Sequence, residues 1–138
     1  MMYLVDTNVV SELRNPKRTH LAVRAWVDSV ASDELYLSAI SLLELEVGAL
    51  RMERRDPQQG ALLRSWLEIQ VRPAFSGRIL PVDAQIAVRC AALHVPDPRY
   101  DRDSLVAATA LVHDMTVVTR NITDFKPMGV TVLNPWES

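Results

Sequence analysis

Met2-Tyr3-Leu4-Val5-Asp6-Thr7-Asn8 opens the chain with an apolar run that ends at the first charged side chain. Residues 2–5 are short, apolar and bounded by polar residues, which is the pattern of a buried β-strand. This strand would deliver the Asp6 carboxylate to its own carboxyl end. Open α/β sheets place their binding and catalytic groups at that edge, so Asp6 is a candidate functional residue.

Helical and strand patterns alternate along the rest of the chain. Short apolar runs at residues 35–37, 79–82, 116–119 and 130–132 indicate further strands. The predicted order is β-α-α-β-α-α-β-α-α-β-β. Strands separated by helices pair in parallel, because a parallel connection needs a long crossover. We therefore expect an α/β fold with three layers, α/β/α, around a mainly parallel sheet of four to five strands.

Polar residues before the helical segments predict where several helices begin. Such side chains accept hydrogen bonds from the free N–H groups of a first helical turn. The predicted N-caps are Thr19, Ser38 or Ser41, Asp56 followed by Pro57, and Asp83. A turn is expected around Asn121, before the last strand.

Length and composition restrict the class of protein. The chain has 138 residues, of which 49% are hydrophobic, and this suits a single domain over residues 1–138. The formal net charge is only -2, so any contact with nucleic acid must be local. Cys90 is the single cysteine and is expected to be a small buried side chain in a reducing environment. No apolar stretch is long enough to span a bilayer, and we expect a cytoplasmic protein with no membrane partner.

Two later aspartates occupy positions that correspond to that of Asp6. Asp103 lies on the apolar face of an alanine-rich helix, so its carboxylate should point inward, and Asp124 follows the predicted strand at 116–119. If the strands are parallel, all three carboxylates lie at one edge of the sheet. Each has an ordinary alternative role: Asp6 and Asp124 could form turns, and Asp103 or its neighbour Asp101 could cap a helix.

Clustered carboxylates require a compensating charge. A pair about 4 Å apart repels by ~4 kcal/mol at an effective dielectric constant of about 20. Oxygen ligands favour Mg²⁺ or Mn²⁺, whereas zinc is not expected because His20, His94 and His113 are scattered along the chain. Magnesium held by carboxylates is typical of phosphodiester hydrolysis, in which the metal activates water and stabilises the leaving oxygen.

A fourth acid is expected from the long helix that carries residues 42–55. The predicted core-facing stripe of this helix consists of Ile40, Leu43, Val47 and Leu50. Glu44 and Glu46 flank the stripe on opposite sides, so periodicity does not choose between them. Glu44 is favoured by its position one turn nearer the preceding strand and by its neighbour Gly48, which leaves open space beside it.

Four motifs occur in order along nearly the whole chain. They are Val5-Asp6-Thr7-Asn8 with Ser11-Glu12, Ser41-Leu42-Leu43-Glu44-Leu45 with Gly48, Asp103-Ser104-Leu105-Val106-Ala107-Ala108-Thr109-Ala110, and Thr119-Arg120-Asn121 with Asp124-Phe125. Together they resemble the PIN-domain ribonucleases, specifically the VapC and FitB toxins of type II toxin–antitoxin systems. The resemblance implies an acidic metal site formed by Asp6, Glu44, Asp103 and Asp124. It also implies that Asn8 and Thr119 orient ligands or water, and that Asn121 shares the last acidic position with Asp124.

The resemblance further implies an activity, a cofactor and partners. The expected activity is Mg²⁺-dependent endoribonuclease cleavage, with Mn²⁺ as a possible substitute and with 5′-phosphate and 3′-hydroxyl products; one metal or two are both open. RNA would be the substrate, and a cognate antitoxin and a second copy of the chain would be the partners. Trp26 and Trp66 would either fill the core or contact the antitoxin. The basic residues expected near the acidic edge, and available to RNA phosphates, are Arg14, Lys17, Arg18, Arg102 and Arg120.

The main alternative function is a PIN-fold module that binds an antitoxin and has little or no nuclease activity. A phospho-acceptor receiver domain is disfavoured because Thr7-Asn8, and not a second acid, follows Asp6, and no lysine follows Val132. A Rossmann or P-loop enzyme is disfavoured because none of the four glycines forms a phosphate-binding loop. Two positions depart from the family pattern. Asp114, often glycine there, would need the left-handed conformation that ends a helix. Asp101 adds a carboxylate two residues before Asp103, which could cap the helix or repel phosphate.

Overall fold

The computed structural model describes residues 1–137, which contain a five-stranded sheet. Ser138, the last residue of the predicted domain, lies outside the described residues. The strands are β1 Tyr3–Val5, β2 Leu35–Ser38, β3 Ile79–Leu80, β4 Thr116–Val118 and β5 Val132–Leu133. Their order across the sheet is β3-β2-β1-β4-β5, and all neighbouring pairs are parallel. The predicted α/β class with a parallel sheet is confirmed.

Helices connect the strands and cover both faces of the sheet. They are α1 Thr7–Glu12, α2 Leu21–Ser29, α3 Ala39–Arg55, α4 Pro57–Trp66, α5 Arg72–Ala74, α6 Ala84–Leu93, α7 Asp101–His113 and α8 Ile122–Phe125. A π-helical turn at Leu67–Val71 joins α4 to α5, and 3-10 turns occupy Ser32–Glu34 and Lys126–Met128. Within residues 1–137, no helix combines the length and the apolar character needed to cross a membrane.

Alternation along the central strand β1 divides the core into two layers. Leu4 is fully buried and packs with Val117 of β4 and Val106 of α7. Val5 faces the opposite side and belongs to a second cluster with Leu45 of α3. Successive strand residues point to opposite faces of a sheet, so this short strand holds both helical layers. The predicted three-layer arrangement is confirmed.

Three of the predicted helix starts are confirmed. Ser38, Asp56 and Asp83 each accept a hydrogen bond from a backbone N–H two or three residues further on, at 3.0, 3.2 and 3.0 Å. These bonds satisfy amide groups that a first helical turn leaves free. The Ser38 cap starts α3 directly after β2, which brings this helix to the carboxyl edge of the sheet.

The predicted N-cap at Thr19 is wrong. The Thr19 hydroxyl is buried and donates to the backbone carbonyls of Glu12 and Asn15 at 3.1 and 3.0 Å, so it closes the loop after α1. His20 caps α2 instead, because its Nδ1 accepts from the Ala22 N–H at 3.2 Å. A threonine hydroxyl can serve either purpose, and the path of the loop decides which.

The predicted core-facing stripe of α3 is wrong at Leu43 and Leu50, whereas Ile40 packs against the core as predicted. Leu43 and Leu50 are 47% and 60% exposed, whereas Ser41, Leu45 and Ala49 are buried. The buried positions follow one another at intervals of four residues, which is one face of a helix. Small side chains at Ser41 and Ala49 allow close packing. A prediction based on the spacing of hydrophobic residues does not take side-chain size into account.

The segment after β4 differs from its prediction in two respects. The expected turn around Asn121 leads into the short helix α8, and the last strand is Val132–Leu133 where residues 130–132 were expected. Val130 is buried, but pairing with β4 begins only at the Thr131 carbonyl, which accepts from the Val117 N–H at 2.9 Å.

Asp114, the residue that ends α7, has a φ of 54°. This is the left-handed conformation that was predicted for it.

Candidate active site

Asp6 and Thr119 lie at the carboxyl ends of neighbouring strands. Val5 pairs with Val118, and the Asp6 N–H donates to the Val118 carbonyl at 2.9 Å. This parallel register brings the two following side chains together, and the Thr119 hydroxyl donates to Asp6 Oδ2 at 2.8 Å. The sheet therefore anchors the first candidate acid through a residue more than a hundred positions away in sequence.

The Asp6 carboxylate is buried and held by several donors. Its Oδ1 accepts from the Thr7 N–H at 2.8 Å, which caps α1, and Asn8 Nδ2 lies 3.4 Å from Oδ2. Burial nevertheless raises the pKa of Asp6 above its ordinary value, and the charges of Glu44 and Asp124 raise it further. Hydrogen bonds stabilise the ionised carboxylate, but they do not remove the cost of desolvating it.

Asn8 and Thr119 form a polar network around Asp6. Asn8 Nδ2 also donates to Thr119 Oγ1 at 3.3 Å, and Asn8 Oδ1 accepts from the Arg120 N–H at 3.3 Å. Thr119 Oγ1 accepts a further bond from the Asn121 N–H at 3.0 Å. These contacts orient the Asp6 carboxylate. The predicted contact of Asn8 and Thr119 with water or ligand stays a prediction.

Glu44 and Glu46, which periodicity did not separate, have different partners. Glu44 Oε1 accepts from the Thr7 hydroxyl at 2.9 Å, so the residue after Asp6 fixes this glutamate. Glu46 bonds instead to Arg64 of the next helix, α4. Sequence reasoning overlooked the role of Thr7, although Thr7 stands within the Val5-Asp6-Thr7-Asn8 motif.

Asp103 lies in the first turn of α7 and faces Asp6 and Glu44. The three side chains line a cavity of about 240 Å³, together with Thr7, Asn8 and Asn121. Partial burial is the main cause that raises the pKa of Asp103 to about 6, and the charges of Asp6, Asp124 and Glu44 add to it. Tyr100 occupies the N-cap position and makes no side-chain capping bond. The pKa shift therefore has two causes, the desolvation of Asp103 and, to a smaller extent, the negative charges beside it.

Asn121 and Asp124 occupy different places. Asn121 lines the acidic cavity, whereas Asp124 is exposed on α8 and lines an adjoining groove with Asp103. The Asp124 charge still raises the pKa of both Asp6 and Asp103. Sequence analysis gave these two residues a shared role, and the fold separates them.

A model of the PIN domain matches residues 3–128. The chain belongs to the PIN domain family. It is 36% identical over 140 residues to toxin FitB of Neisseria gonorrhoeae, covering 98% of this chain and 99% of FitB. It is also 36% identical over 143 residues to VapC ribonuclease Y4jK of Sinorhizobium fredii, covering 99% of each. The predicted resemblance to VapC and FitB toxins is confirmed.

The fold of this PIN domain matches solved structures as well. The crystal structure of FitAcB from Neisseria gonorrhoeae aligns with a TM-score of 0.90 at 36% identity, over 99% of this chain and 100% of the other. The α/β/α architecture is therefore shared with FitB over essentially the whole chain.

The candidate metal ligands of this PIN domain are carboxylate oxygens, which hard cations such as Mg²⁺ prefer. Within residues 1–137, no three His, Cys, Asp or Glu side chains stand in a ready-made metal-binding arrangement. The cavity instead offers carboxylates from Asp6, Glu44 and Asp103 around open space. Mg²⁺ takes oxygen ligands and keeps waters at its remaining positions, so carboxylates around open space are donors of the right kind.

The basic residues of this PIN domain divide between two regions. Arg102 Nη1 lies 4.0 Å from Glu44 Oε2. The Arg120 backbone N–H donates to Asn8, whereas the Arg120 guanidinium lies over the Trp136 ring, 5.2 Å from its centroid. Arg14 and Arg18 line a different groove with Trp66, and Lys17 is exposed in the loop between α1 and α2. The expectation that all five lie beside the acids was therefore too broad.

Proposed function

We propose that this PIN domain is a metal-dependent endoribonuclease and the toxin of a type II toxin–antitoxin pair. One observation carries the proposal: Asp6, Glu44 and Asp103 line one cavity at the carboxyl edge of the sheet, where their negative charges repel one another. A small hard cation would relieve this repulsion. The relatives named toxin FitB and VapC ribonuclease support the assignment of cleavage to RNA.

Asp6, Glu44 and Asp103 would hold Mg²⁺, or Mn²⁺ in its place. When bound, Mg²⁺ would lower the pKa of the attacking water and stabilise the charge that develops on the leaving oxygen. Asp124 would orient that water or contribute to a second ion from the adjoining groove, and Asn121 would contact the phosphate from within the cavity. Thr119 would keep Asp6 in place, and products would carry 5′-phosphate and 3′-hydroxyl ends.

Arg102 would bind the substrate. Its guanidinium is half exposed, so it can turn from Glu44 to an RNA phosphate without leaving a buried charge unpaired. The formal net charge of -2 makes such a local cation important for a polyanionic substrate.

An antitoxin would be the protein partner. The structure of FitAB bound to a DNA fragment aligns with this chain at a TM-score of 0.90 and 35% identity. In this chain Trp26 and Trp66 line an apolar cavity of about 260 Å³, which would accept apolar side chains of the antitoxin. A homodimer in the cytoplasm completes the proposal, and sedimentation of the purified chain with and without its antitoxin tests the assembly.

Incubation of the purified chain with RNA tests the proposed reaction. We expect cleavage with Mg²⁺ or Mn²⁺ and none with EDTA, because the acids need a cation before an anionic phosphate can approach. End mapping identifies the phosphate and hydroxyl termini. A chain that binds its antitoxin tightly but shows no metal-dependent cleavage would be the binding module of the alternative reading.

Asp103→Asn should increase the stability of the metal-free protein. The folded pKa of Asp103, about 6, is above the ordinary value of 3.8, so ionisation destabilises the folded state. Stability is lost as pH rises between these values and stays lost above them. We expect the variant to be more stable than wild type by ~1 kcal/mol at pH 8, after allowance for solvent screening, and equal to it below pH ~4.

Thermal melts with and without Mg²⁺ measure this effect. The wild-type melting temperature should rise when Mg²⁺ is added, because the ion binds the folded state, and the variant should lose most of that rise. Lower metal-free stability of the variant at pH 8 would instead show that Asp103 stabilises the start of α7.

A further inference from the structure

A second opening adjoins the acidic cavity at Asp103. It is a groove of about 420 Å³ between the loop that ends at Tyr100 and the segment from Thr123 to Met128. Asp103 lines both the groove and the cavity. A chain of nucleotides with one phosphate at the acids therefore has its neighbouring nucleotide beside this groove.

Tyr100 presents an aromatic ring at the edge of the groove. Its side chain is 80% exposed, although an aromatic ring usually buries much of its surface. Tyr100 immediately precedes α7, and its carbonyl accepts from the Ser104 N–H at 2.9 Å, so its backbone is tied to the helix that carries Asp103. The ring is therefore accessible to a ligand, and it is attached to the backbone three residues before Asp103.

His94 holds the loop against α7. Its Nδ1 accepts from the Arg99 N–H at 3.2 Å, so the neutral ring carries its proton on Nε2, which lies 2.9 Å from the Ser104 hydroxyl oxygen. The buried Ser104 hydroxyl in turn donates to the Asp101 carbonyl at 2.9 Å. These bonds hold the loop in the absence of substrate. Sequence analysis considered His94 only as one of three scattered histidines that do not form a zinc site.

The charges around the groove favour an uncharged base inside it and phosphates outside it. Asp124 lines the groove and would repel a phosphate there. Two acids, Asp103 and Asp124, and one cation, Arg99, line the groove, so its net charge is negative. Arg99 and Arg102, on either side of Tyr100 in the sequence, are exposed to a phosphate. A bound RNA chain would therefore place its phosphates toward Arg99 and Arg102 and one base toward the Tyr100 ring.

We propose that Tyr100 binds substrate by stacking on the base of a nucleotide next to the scissile phosphate of single-stranded RNA. The proposal rests on the nuclease function proposed above and names the substrate class of the same site. Base stacking on an aromatic side chain tolerates any base, so Tyr100 favours unpaired RNA without choosing its sequence. Paired RNA keeps its bases inside the helix and cannot offer one to the ring.

Binding of a short fluorescent single-stranded RNA, with Ca²⁺ in place of Mg²⁺ to prevent cleavage, tests the proposal. Tyr100→Ala should weaken binding by about tenfold, and Tyr100→Phe, which keeps the ring, should bind like wild type. An oligonucleotide with an abasic residue at the stacked position should bind wild type and Tyr100→Ala alike. The dependence of binding on salt should not change in Tyr100→Ala, because the ring neutralises no phosphate.

Cleavage assays separate this proposal from the proposed function. Tyr100→Ala should raise KM for single-stranded RNA and leave kcat near the wild-type value. Equal RNA affinity of wild type and Tyr100→Ala would overturn the stacking proposal, even if the chain cleaves RNA. Tyr100-dependent binding without any cleavage would overturn the nuclease assignment and leave the stacking contact standing, and absence of RNA binding by wild type would overturn both.

Discussion

The Asp6→Asn substitution is expected to lower the rate of Mg²⁺-dependent RNA cleavage by about a hundredfold or more. Loss of groups that merely orient metal ligands costs about 10- to 100-fold, and Asp6 is proposed as a ligand itself. The variant should fold, because asparagine is also a good N-cap and can accept the Thr7 N–H bond that starts α1. Initial rates on a labelled RNA, measured across a range of Mg²⁺ concentrations, give the loss.

Asp101→Asn is the matched control for Asp6→Asn. It removes the same charge two residues before Asp103, but the Asp101 side chain is 90% exposed and does not line the acidic cavity. Exposed charges interact weakly, so cleavage should stay within about twofold of wild type. Equal rates for Asp6→Asn and wild type would remove Asp6 from the metal site, and equal losses in both variants would point to a general field effect.

Gly60→Ala is expected to destabilise the fold by ~3 kcal/mol. Gly60 is buried in α4 where this helix crosses α3, and an added Cβ would lie 2.3 Å from Glu53 Cα and 2.6 Å from Glu53 N. Backbone atoms cannot move aside as the end of a flexible side chain can, so the two helices would have to separate. Urea or thermal denaturation measures the change in the free energy of unfolding.

Gly48→Ala, on the neighbouring helix α3, is expected to raise the stability of the fold, whereas Gly60→Ala is expected to lower it. Gly48 lies inside α3, is exposed, and has no heavy atom within 4 Å of the position of an added Cβ. Alanine should therefore stabilise α3 by ~0.5 to 1 kcal/mol, because it restricts the unfolded chain and favours helix. A loss of stability in Gly48→Ala similar to that in Gly60→Ala would contradict the close approach of α3 and α4 at Gly60.

Local signals predicted local features well. Asp56 and Asp83 cap helices because a carboxylate can accept from amides two or three residues away, and this needs no distant partner. The strands β1, β2 and β4 were also predicted from a local signal, a short apolar run bounded by polar residues. The single-domain prediction over residues 1–138, the Mg²⁺ cofactor and the catalytic roles stay predictions.

Features that depend on distant packing were not predictable in this way. The buried face of α3 is set by α4 and the sheet, so Leu43 and Leu50 are exposed while Ala49 is buried. His20 caps α2 in place of Thr19, because the Thr19 hydroxyl donates to the Glu12 carbonyl in the loop after α1. Backbone pairing, and not apolar character, decided where β5 begins.

The sequence by itself determined that carboxylates follow strands of a parallel α/β sheet, because strand and helix patterns are local and a parallel sheet brings strand ends to one edge. Only the tertiary structure decided which acids meet. The Thr7 hydroxyl bonds to Glu44, whereas Arg64 pairs with Glu46. Asn121 lines the acidic cavity, and Asp124, on α8, lines the adjoining groove. The reason is that a side chain bonds only to groups within a few ångströms of it. Residues far apart in the sequence reach that distance only when whole helices and strands pack together.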